Sequence, residues 1–479
     1  MSSHVTRTHL VASLVFILAV LATFMPSMRT SPPVWIDEVM IVDYGRVMLD
    51  DGFGSHTPGK RAEARTTNLA VTYNVEAGRP VKPVPWLGCV MQELAWRATG
   101  SPLGPRWLAT LGSLLGVVFL AVWLCGHATS STEVWAALTL CGTWFLESTF
   151  LDSYRGARVD GIAVAFVMAS LLLVQGKAGA WRLLLAGVLL SASFFVWIRA
   201  VITWPVVLLA FADKERKAPA LLTLVTGMAI GALMLVGPSM AGFADTALFA
   251  HQPWGEMSLA QRAVQAFRSL ASLLPPYLNL RWLTPLVLGV WLLGSKSARL
   301  RIPLGWWVGI GLVTLAGLVL TATHLHHFNR LFAFPLMVAV VWFFWQTLTP
   351  RLRLAGLALF AVTLALGFTF SAVLRTLRAD PTPTASVEEL AKHLQPGDRV
   401  FDPHFCHYYD LRRLGLVPLA HPLPESHSGL ASALKLNAFI QPAGDARDGR
   451  ALLGPEASSI ALSDQHVLWV MRGGQRQVR

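Results

Sequence analysis

Charged residues are scarce in this chain, and that scarcity restricts its class more than any other feature. Only 14% of its 479 residues are Asp, Glu, Lys or Arg, whereas 54% are hydrophobic. A water-soluble domain of this length would have far more apolar residues than its core needs. The composition therefore argues against a soluble protein and favours one whose helices lie in a lipid bilayer.

Cysteine is also scarce, with four residues in the whole chain. Cys89, Cys125 and Cys141 lie in or beside apolar runs, and Cys406 stands alone near the C-terminus. This distribution indicates neither a disulfide framework nor a set of zinc ligands. The sequence also lacks an internal repeat, a point that bears on its function below.

Long apolar runs are what the sequence does contain. Runs of roughly 17 to 25 mostly apolar residues are typical of membrane-spanning helices. Such runs predict about eleven spans, near residues 9–27, 107–126, 133–150, 160–175, 181–197, 200–211, 219–240, 282–294, 303–322, 331–348 and 354–374. The first run is longer than the core of a signal peptide and no clear cleavage site follows it, which favours an uncleaved anchor. The predicted fold class is an α-helical polytopic membrane protein.

The net charge of +12 is distributed in a way that indicates membrane topology rather than nucleic-acid binding. Basic clusters occupy alternate short loops, which the positive-inside rule assigns to the cytoplasm. Their members are Lys177, Arg182, Lys214, Arg216, Lys217, Lys296, Arg299, Arg301, Arg351 and Arg353. The same alternation predicts that segment 28–106, the residues before Asp160 and the tail from about residue 375 lie outside the cytoplasm. We therefore expect a multi-pass protein of a bacterial-type inner (plasma) membrane, with lipids among its partners.

Two domains are predicted from the change in composition near residue 375. Residues 1–375 would form the transmembrane catalytic domain, and within it the first external loop, 28–106, would carry interfacial helices. After the linker PTPT at 381–384, short apolar runs alternate with turns and polar segments. Residues 376–479 are therefore predicted to form a small extracytoplasmic α/β domain.

Three acidic residues stand at the edges of apolar runs and are the candidate catalytic residues. Asp37 and Glu38 follow the first run in WIDEVM, and Asp160 opens a later run in RGARVDG. Carboxylates at a membrane edge are costly to desolvate, so they are functional candidates by default. The pair at 37 and 38 could instead cap a helix, or it could supply a general base or a metal ligand.

Basic residues close to these acids suggest an anion site. Arg155 and Arg158 are three residues apart, so in a continuous helix they would project from one side. Beside the N-terminus of a helix beginning at Asp160, their guanidinium groups would attract an anion such as phosphate. Both arginines could alternatively extend toward lipid headgroups. Arg199 and Arg330 are further basic residues near the predicted outer face.

An ordered set of these residues resembles a known superfamily. The set consists of Asp37-Glu38, Lys82-Pro83 followed by Arg106, Arg158-Val159-Asp160, and Arg199, within roughly residues 8–210. It resembles the GT-C superfamily of polytopic membrane glycosyltransferases, in the branch of the protein O-mannosyltransferases and the aminoarabinose transferase of lipid A. The resemblance implies transfer of a sugar from a polyprenyl-phosphate donor to a hydroxyl acceptor outside the cytoplasm, with inversion at the anomeric carbon.

The resemblance also implies roles for individual residues. Asp37 would be the base, Glu38 and Asp160 would position cationic groups, and Asp37 and Asp160 could hold a divalent metal ion, the one cofactor considered. The donor phosphate would be bound by Lys82, Arg155, Arg158, Arg199 and Arg330. The alternative function is a transporter or flippase of an anionic lipid-linked substrate. Such proteins often show matching halves, and this sequence has none.

Overall fold

A computed structural model describes most of the predicted membrane segments and of the C-terminal region. It describes residues 11, 14, 18, 36–50, 73–74, 79–80, 86–176, 178–212, 217–243, 258–261, 263–264, 280–294, 300–320, 329–369, 387–402, 406–419, 436–442, 449–463 and 466–471. The chain forms two compact units. The helical unit comprises Met1–Met28, Arg106–Gly237 and Gln252–Ala379, and the mixed unit comprises Arg29–Pro105, Pro238–His251 and Asp380–Arg479.

Helices make up most of the described chain before residue 370. In chain order they are α1 (Ile36–Asp50), α2 (Trp86–Thr99), α3 (Leu103–His127), α4 (Ser131–Phe145), α5 (Ser148–Arg155), α6 (Asp160–Val174), α7 (Ala180–Val196), α8 (Lys217–Phe243), α9 (Leu280–Gly294), α10 (Leu304–Leu320), α11 (Phe334–Trp345) and α12 (Pro350–Gly367). Short 3-10 helices span Ile198–Ile202, Trp204–Phe211 and Asn329–Ala333, and strands β1 (Tyr73–Asn74) and β2 (Arg79–Pro80) pair antiparallel.

The prediction of about eleven complete spans is not confirmed. Within the described residues, three helices are long and apolar enough to cross a bilayer: Leu103–His127, Lys217–Val236 and Pro350–Gly367. Helices α4 and α5 would make a fourth span if taken together, although they are bent by 58°. Six further apolar helices are shorter. Most of the run at 9–27 lies outside the described residues. The difference arises because hydropathy measures the length of an apolar run and does not detect where the helix breaks.

A buried carboxylate ties together one end of the helical unit. Glu133, in the first turn of α4, accepts hydrogen bonds from the backbone N–H (2.7 Å) and hydroxyl (3.0 Å) of Thr129. The guanidinium groups of Arg353 and Arg301 lie 3.7 and 4.0 Å from it. The indole N–H of Trp342 donates to the Glu133 carbonyl at 3.0 Å. Two loops that the charge pattern places on one side of the membrane therefore meet at this carboxylate.

Helices α6 and α7 carry Arg182 near one end of the pair and Asp160 and Arg199 near the other. Helix α7 has Arg182 in its first turn, where the guanidinium donates to the Leu172 carbonyl near the end of α6, and Arg199 follows its last turn. Helix α6 begins at Asp160. Asp160 and Arg199 thus lie at the ends of α6 and α7 remote from Arg182.

The C-terminal residues of the mixed unit form an α/β fold, as the alternating pattern predicts. Its elements are α13 (Val387–His393), β3 (Arg399–Phe401), α14 (Tyr408–Arg413), β4 (Val417–Leu419), β5 (Ala438–Pro442), α15 (Gly449–Leu453), β6 (Ala457–Ser463) and β7 (His466–Met471). The five strands form one sheet in the order β4-β3-β5-β7-β6. Strand β3 is parallel to both neighbours, whereas β7 is antiparallel to β5 and β6.

Two hydrophobic clusters hold this sheet. Leu390, Val400, Leu411, Ile440 and Leu468 belong to one cluster, which joins α13 and α14 to the central strands. Phe401 and Phe439 belong to the other, together with Leu453 of α15. Leu411 of α14 and the other side chains of the first cluster are almost fully buried. Helix α14 therefore has a fixed place on the sheet.

Candidate functional site

Asp160 is held in a buried ion pair at the start of α6. Its side chain is fully buried and accepts a hydrogen bond from Arg158 Nε at 2.6 Å and from Ser153 Oγ at 2.8 Å, both at Oδ2. Arg158 Nη2 lies 3.4 Å from Oδ1. A charge-assisted pair of this kind fixes the guanidinium and offsets the cost of burying both charges. In this structure Asp160 balances the charge of Arg158 and orients its guanidinium group.

The expectation that Arg155 and Arg158 share one helical face is wrong. Helix α5 ends at Arg155, and Ala157 adopts a left-handed backbone with φ of 53°. This turn lets the Arg158 N–H donate to the Ser153 carbonyl at 3.0 Å and redirects the chain into α6. Both arginines are buried, but they belong to different elements. A non-glycine residue in this conformation costs about 1 kcal/mol or more.

A tryptophan brings two of the predicted basic residues together. The guanidinium carbons of Arg158 and Arg199 each lie 5.7 Å from the centre of the Trp197 ring, within the range of cation–π interactions. Within the described part of the chain, the buried indole N–H of Trp197 has no hydrogen-bond acceptor. Other buried indole N–H groups in the described residues also lack an acceptor, so the two guanidinium groups are the feature that marks a place for an anion. The sequence analysis missed Trp197, although it lies two residues before Arg199.

Glu147 is a further carboxylate at this end of the helical unit. It is buried between α4 and α5 and accepts hydrogen bonds from the backbone N–H groups of Thr149 (2.8 Å) and Phe150 (3.2 Å). This is helix capping, in which a carboxylate satisfies free donors in the first turn. The available signal in the sequence was a glutamate inside the string WFLEST. Its apolar neighbours make the whole segment appear to be part of one apolar run.

Helices α3 and α6 approach so closely beside Asp160 that only glycine fits at residue 161. A Cβ at Gly161 would lie 1.8 Å from Ser113 Oγ and 2.9 Å from Ser113 Cα. Replacing Gly161 by alanine should therefore push the two helices apart, at a cost of about 1–3 kcal/mol. We expect a lower thermal midpoint for the purified protein, with lower activity because Asp160 moves as well.

Gly116 provides the matched control for this substitution on the same pair of helices. There the nearest atom to an added Cβ would be the Ala165 backbone nitrogen at 3.4 Å, an ordinary contact. Gly116→Ala should change the free energy of unfolding by no more than about 0.5–1 kcal/mol, and in the stabilising direction because alanine favours helix. Equal thermal midpoints for the two variants would contradict the close approach at Gly161.

The acidic pair on α1 lies in the mixed unit, and its two members have different surroundings. Asp37 is partly exposed, whereas Glu38 is fully buried and accepts a hydrogen bond from the Tyr409 hydroxyl at 3.1 Å. The sequence alone could not show which of the two carboxylates is buried and which is accessible. Their burial now favours Asp37 as the one that meets a substrate and Glu38 as a structural support.

A second tyrosine and a second carboxylate repeat this contact further along α1. The Tyr408 hydroxyl donates to Asp43 Oδ1 at 2.9 Å, and Arg46 Nε donates to the same oxygen at 3.1 Å. Burial and the neighbouring Asp43 carboxylate raise the pKa of the Tyr408 phenol well above its usual value. The phenol therefore stays protonated and remains a donor at neutral pH.

An arginine clamp anchors α14 to α2. Arg412 donates two hydrogen bonds to Glu93, at 2.8 and 2.9 Å, and its guanidinium carbon lies 3.7 Å from the centre of the Trp96 ring. Arg97 Nε donates to the same carboxylate at 2.7 Å. Burial lowers the pKa of Arg412, but its hydrogen bonds to Glu93 and the negative charges of Glu93 and Asp43 act in the opposite direction, and the net shift is upward. Arg412 is thus a permanent cation in a bidentate pair.

The remaining predicted residues are described less fully. Lys82 lies outside the described residues. Arg330 lies in the 3-10 helix Asn329–Ala333, and its side chain is outside the described part. Within the described residues, no group of three or more His, Cys, Asp or Glu side chains could hold a metal ion. Asp160 shares its oxygens with Arg158 and Ser153, so a metal there would compete with a guanidinium. The divalent ion on Asp37 and Asp160 stays a prediction.

Comparison with solved structures identifies the fold. The chain is similar to the crystal structure of ArnT from Cupriavidus metallidurans bound to undecaprenyl phosphate, with a TM-score of 0.59 and 11% sequence identity, over 96% of this chain and 98% of that one. The chain has the fold of ArnT. The apo state of ArnT aligns over the same shares, with a TM-score of 0.49 and 14% identity. No protein-family model and no curated protein sequence matches the chain.

The ArnT similarity confirms the resemblance drawn from the sequence at the level of fold. The sequence pointed to this fold through a few ordered residues, and at 11% identity little else in the sequence could reveal it. Substrate and reaction are separate questions, because one fold can host different chemistries.

Proposed function

We propose that this protein is a membrane glycosyltransferase that moves a sugar from a polyprenyl-phosphate donor to a hydroxyl acceptor, with inversion at the anomeric carbon. The observation that carries the proposal is the group formed by Arg158, Arg199 and Trp197, with the buried Asp160 behind Arg158. Two guanidinium groups held at one indole ring suit an anionic phosphate. The undecaprenyl phosphate bound to ArnT supports this choice of ligand.

The proposed chemistry assigns a task to each group. Asp37 takes the proton from the acceptor hydroxyl, whose oxygen attacks the anomeric carbon as the bond to the donor phosphate oxygen breaks. The polyprenyl phosphate leaves with the bond's electron pair and an added negative charge. Arg158 and Arg199, with the proposed contributions of Lys82, Arg155 and Arg330, stabilise that charge. Asp160 holds Arg158 in place, so that little reorganisation is needed during the reaction.

The location of the reaction belongs to the same proposal. The alternating basic loops support a site on the extracytoplasmic side of a bacterial-type inner membrane. The separation of Arg182, in the first turn of α7, from Arg199, which follows the last turn of the same helix, supports that assignment. The identity of the sugar is not part of the proposal.

Substitution of Arg199 tests the proposed phosphate site. Arg199→Gln should weaken binding of undecaprenyl phosphate by about tenfold or more, because a hydrogen bond to a charged group contributes roughly 1.5–3 kcal/mol. Binding would be measured by tryptophan fluorescence or calorimetry on protein in nanodiscs. Arg182→Gln, at the other end of α7, is the matched control and should bind like the wild type.

The outcomes separate the two candidate functions. Equal weakening by both substitutions would show a nonspecific effect of charge and would contradict the phosphate site. Binding of undecaprenyl phosphate without any transfer from a mixture of polyprenyl-phosphate sugars would favour a lipid transporter instead. Transfer to a hydroxyl acceptor that is lost in Arg199→Gln and kept in Arg182→Gln supports the glycosyltransferase.

A further inference from the structure

Tyr408 and Tyr409 connect the C-terminal domain to α1 at two neighbouring points. The two residues open α14 and are almost fully buried, with 1% and 4% of their surfaces exposed. Each hydroxyl donates to a carboxylate of α1, Tyr408 to Asp43 and Tyr409 to Glu38. Adjacent tyrosines on one helix thus make the same kind of contact with two acids five residues apart on another.

The two contacts differ in what stands beside the carboxylate. Asp43 also accepts from Arg46 and lies in the middle of α1. Glu38 lies in the first turn of α1. It is immediately preceded by Asp37, the partly exposed member of the pair. Because a phenol is neutral, its hydrogen bond orients Glu38 without adding a positive charge beside the acid pair. The direction in which the Asp37 side chain points depends on how this first turn is rotated about the helix axis.

Tyr409 is itself held on both sides, so its hydroxyl has a fixed position. The backbone N–H of His407 donates to the buried Asp402 carboxylate at 2.8 Å, which anchors the beginning of α14 to the end of β3. Arg412 anchors the other end of α14 through Glu93 and Trp96. The sheet, α14 and α2 therefore support one hydroxyl that contacts the first turn of α1.

We propose that Tyr409 is a positioning residue that orients the acid pair of α1 through Glu38, so that the C-terminal domain sets the geometry of the base. This inference rests on the proposed function, in which Asp37 takes the acceptor proton. A reacting group must be held within a fraction of an ångström and a few tens of degrees of its working geometry, which requires support from residues behind it. Tyr408 makes a comparable contact but supports no catalytic residue.

The test compares Tyr409→Phe with Tyr408→Phe in the purified full-length protein. Each variant loses one hydroxyl and leaves one carboxylate of α1 short of a donor, so both should lower the thermal midpoint by similar amounts. Tyr409→Phe should lower kcat about tenfold with KM for donor and acceptor unchanged within twofold. Tyr408→Phe should keep kcat within twofold of the wild type.

A double substitution distinguishes positioning from general loosening. In the Glu38→Leu background, where the acceptor of the Tyr409 hydroxyl is gone, adding Tyr409→Phe should have little further effect on kcat, because both changes break the same hydrogen bond. If the kcat losses of the two single substitutions multiplied in the double variant, the inference would be overturned. Equal kcat values for Tyr409→Phe and Tyr408→Phe would also overturn it. Should Tyr409→Phe fail to fold, Glu38→Leu alone carries the test, with kcat lowered and both KM values unchanged.

Failure of the proposed function gives a different pattern. If the wild type transfers no sugar, the function and the positioning role are both overturned. If the wild type transfers sugar and Asp37→Asn does so at the same rate, the function stands, the base is another residue, and the positioning role is overturned. If Asp37→Asn is inactive while Tyr409→Phe matches the wild type, the function stands and the positioning role is overturned.

Discussion

Asp37→Asn is expected to reduce sugar transfer by at least about 100-fold, the scale of a general base's contribution. Asparagine has nearly the same shape as aspartate but cannot take the acceptor's proton. Asp37 is partly exposed in the first turn of α1, so its substitution leaves no buried charge uncompensated. The loss of a favourable charge at the helix N-terminus should cost only about 0.3–1 kcal/mol. The measurement is kcat with a polyprenyl-phosphate sugar, alongside the thermal midpoint.

Asp50→Asn is the matched control for this prediction. Asp50 is the last residue of α1 and is exposed at its surface, where Arg97 pairs with it. An exposed ion pair contributes about 0–1 kcal/mol, so this variant should fold and transfer sugar like the wild type. Full activity of Asp37→Asn would move the base to another residue. Loss of activity in both variants, with lowered thermal midpoints, would indicate a defect of α1 as a whole.

The sequence predicts the positions of the helices better than their continuity. The runs near 107–126, 160–175 and 181–197 correspond to α3, α6 and α7. The run at 200–211 forms two 3-10 helices, one of which begins at Trp204-Pro205, where proline lacks the backbone donor that a continuing helix needs. The run at 133–150 breaks at Glu147, whose carboxylate caps the next helix. Apolar content predicts burial, whereas capping and proline determine where a helix ends.

The contacts in the candidate site also fall into two groups, those that the local sequence predicts and those that it does not. The pairing of Asp160 with the preceding arginines follows from local spacing and is present as the Arg158–Asp160 ion pair. The shared helical face of Arg155 and Arg158 is absent because Ala157 turns the chain, and alanine carries no signal for a left-handed conformation. The Tyr409–Glu38 contact joins residues 371 positions apart. No local pattern predicts such a contact, since it depends on the tertiary fold.

Arg412→Ala is expected to destabilise the mixed unit by about 3–5 kcal/mol, the usual effect of removing one partner from a buried ion pair. Glu93 is fully buried and would lose two hydrogen bonds, and Trp96 would lose the guanidinium that lies over it. The expected results are a markedly lower thermal midpoint and faster proteolysis between α14 and the end of the chain. Activity should fall too, because Tyr409 lies on the same short helix.

Arg413→Ala separates this effect from the loss of a positive charge. Arg413 follows Arg412 directly, but 54% of its side chain is exposed and its partner Asp410 lies on the same helix. Its removal should therefore change the thermal midpoint very little, since exposed pairs contribute little. Glu93→Gln should resemble Arg412→Ala in direction, because a buried guanidinium then lacks its counter-charge. If Arg412→Ala and Arg413→Ala melted alike, the clamp would not fix α14, and the support behind Tyr409 would have to come from the sheet and Asp402 alone.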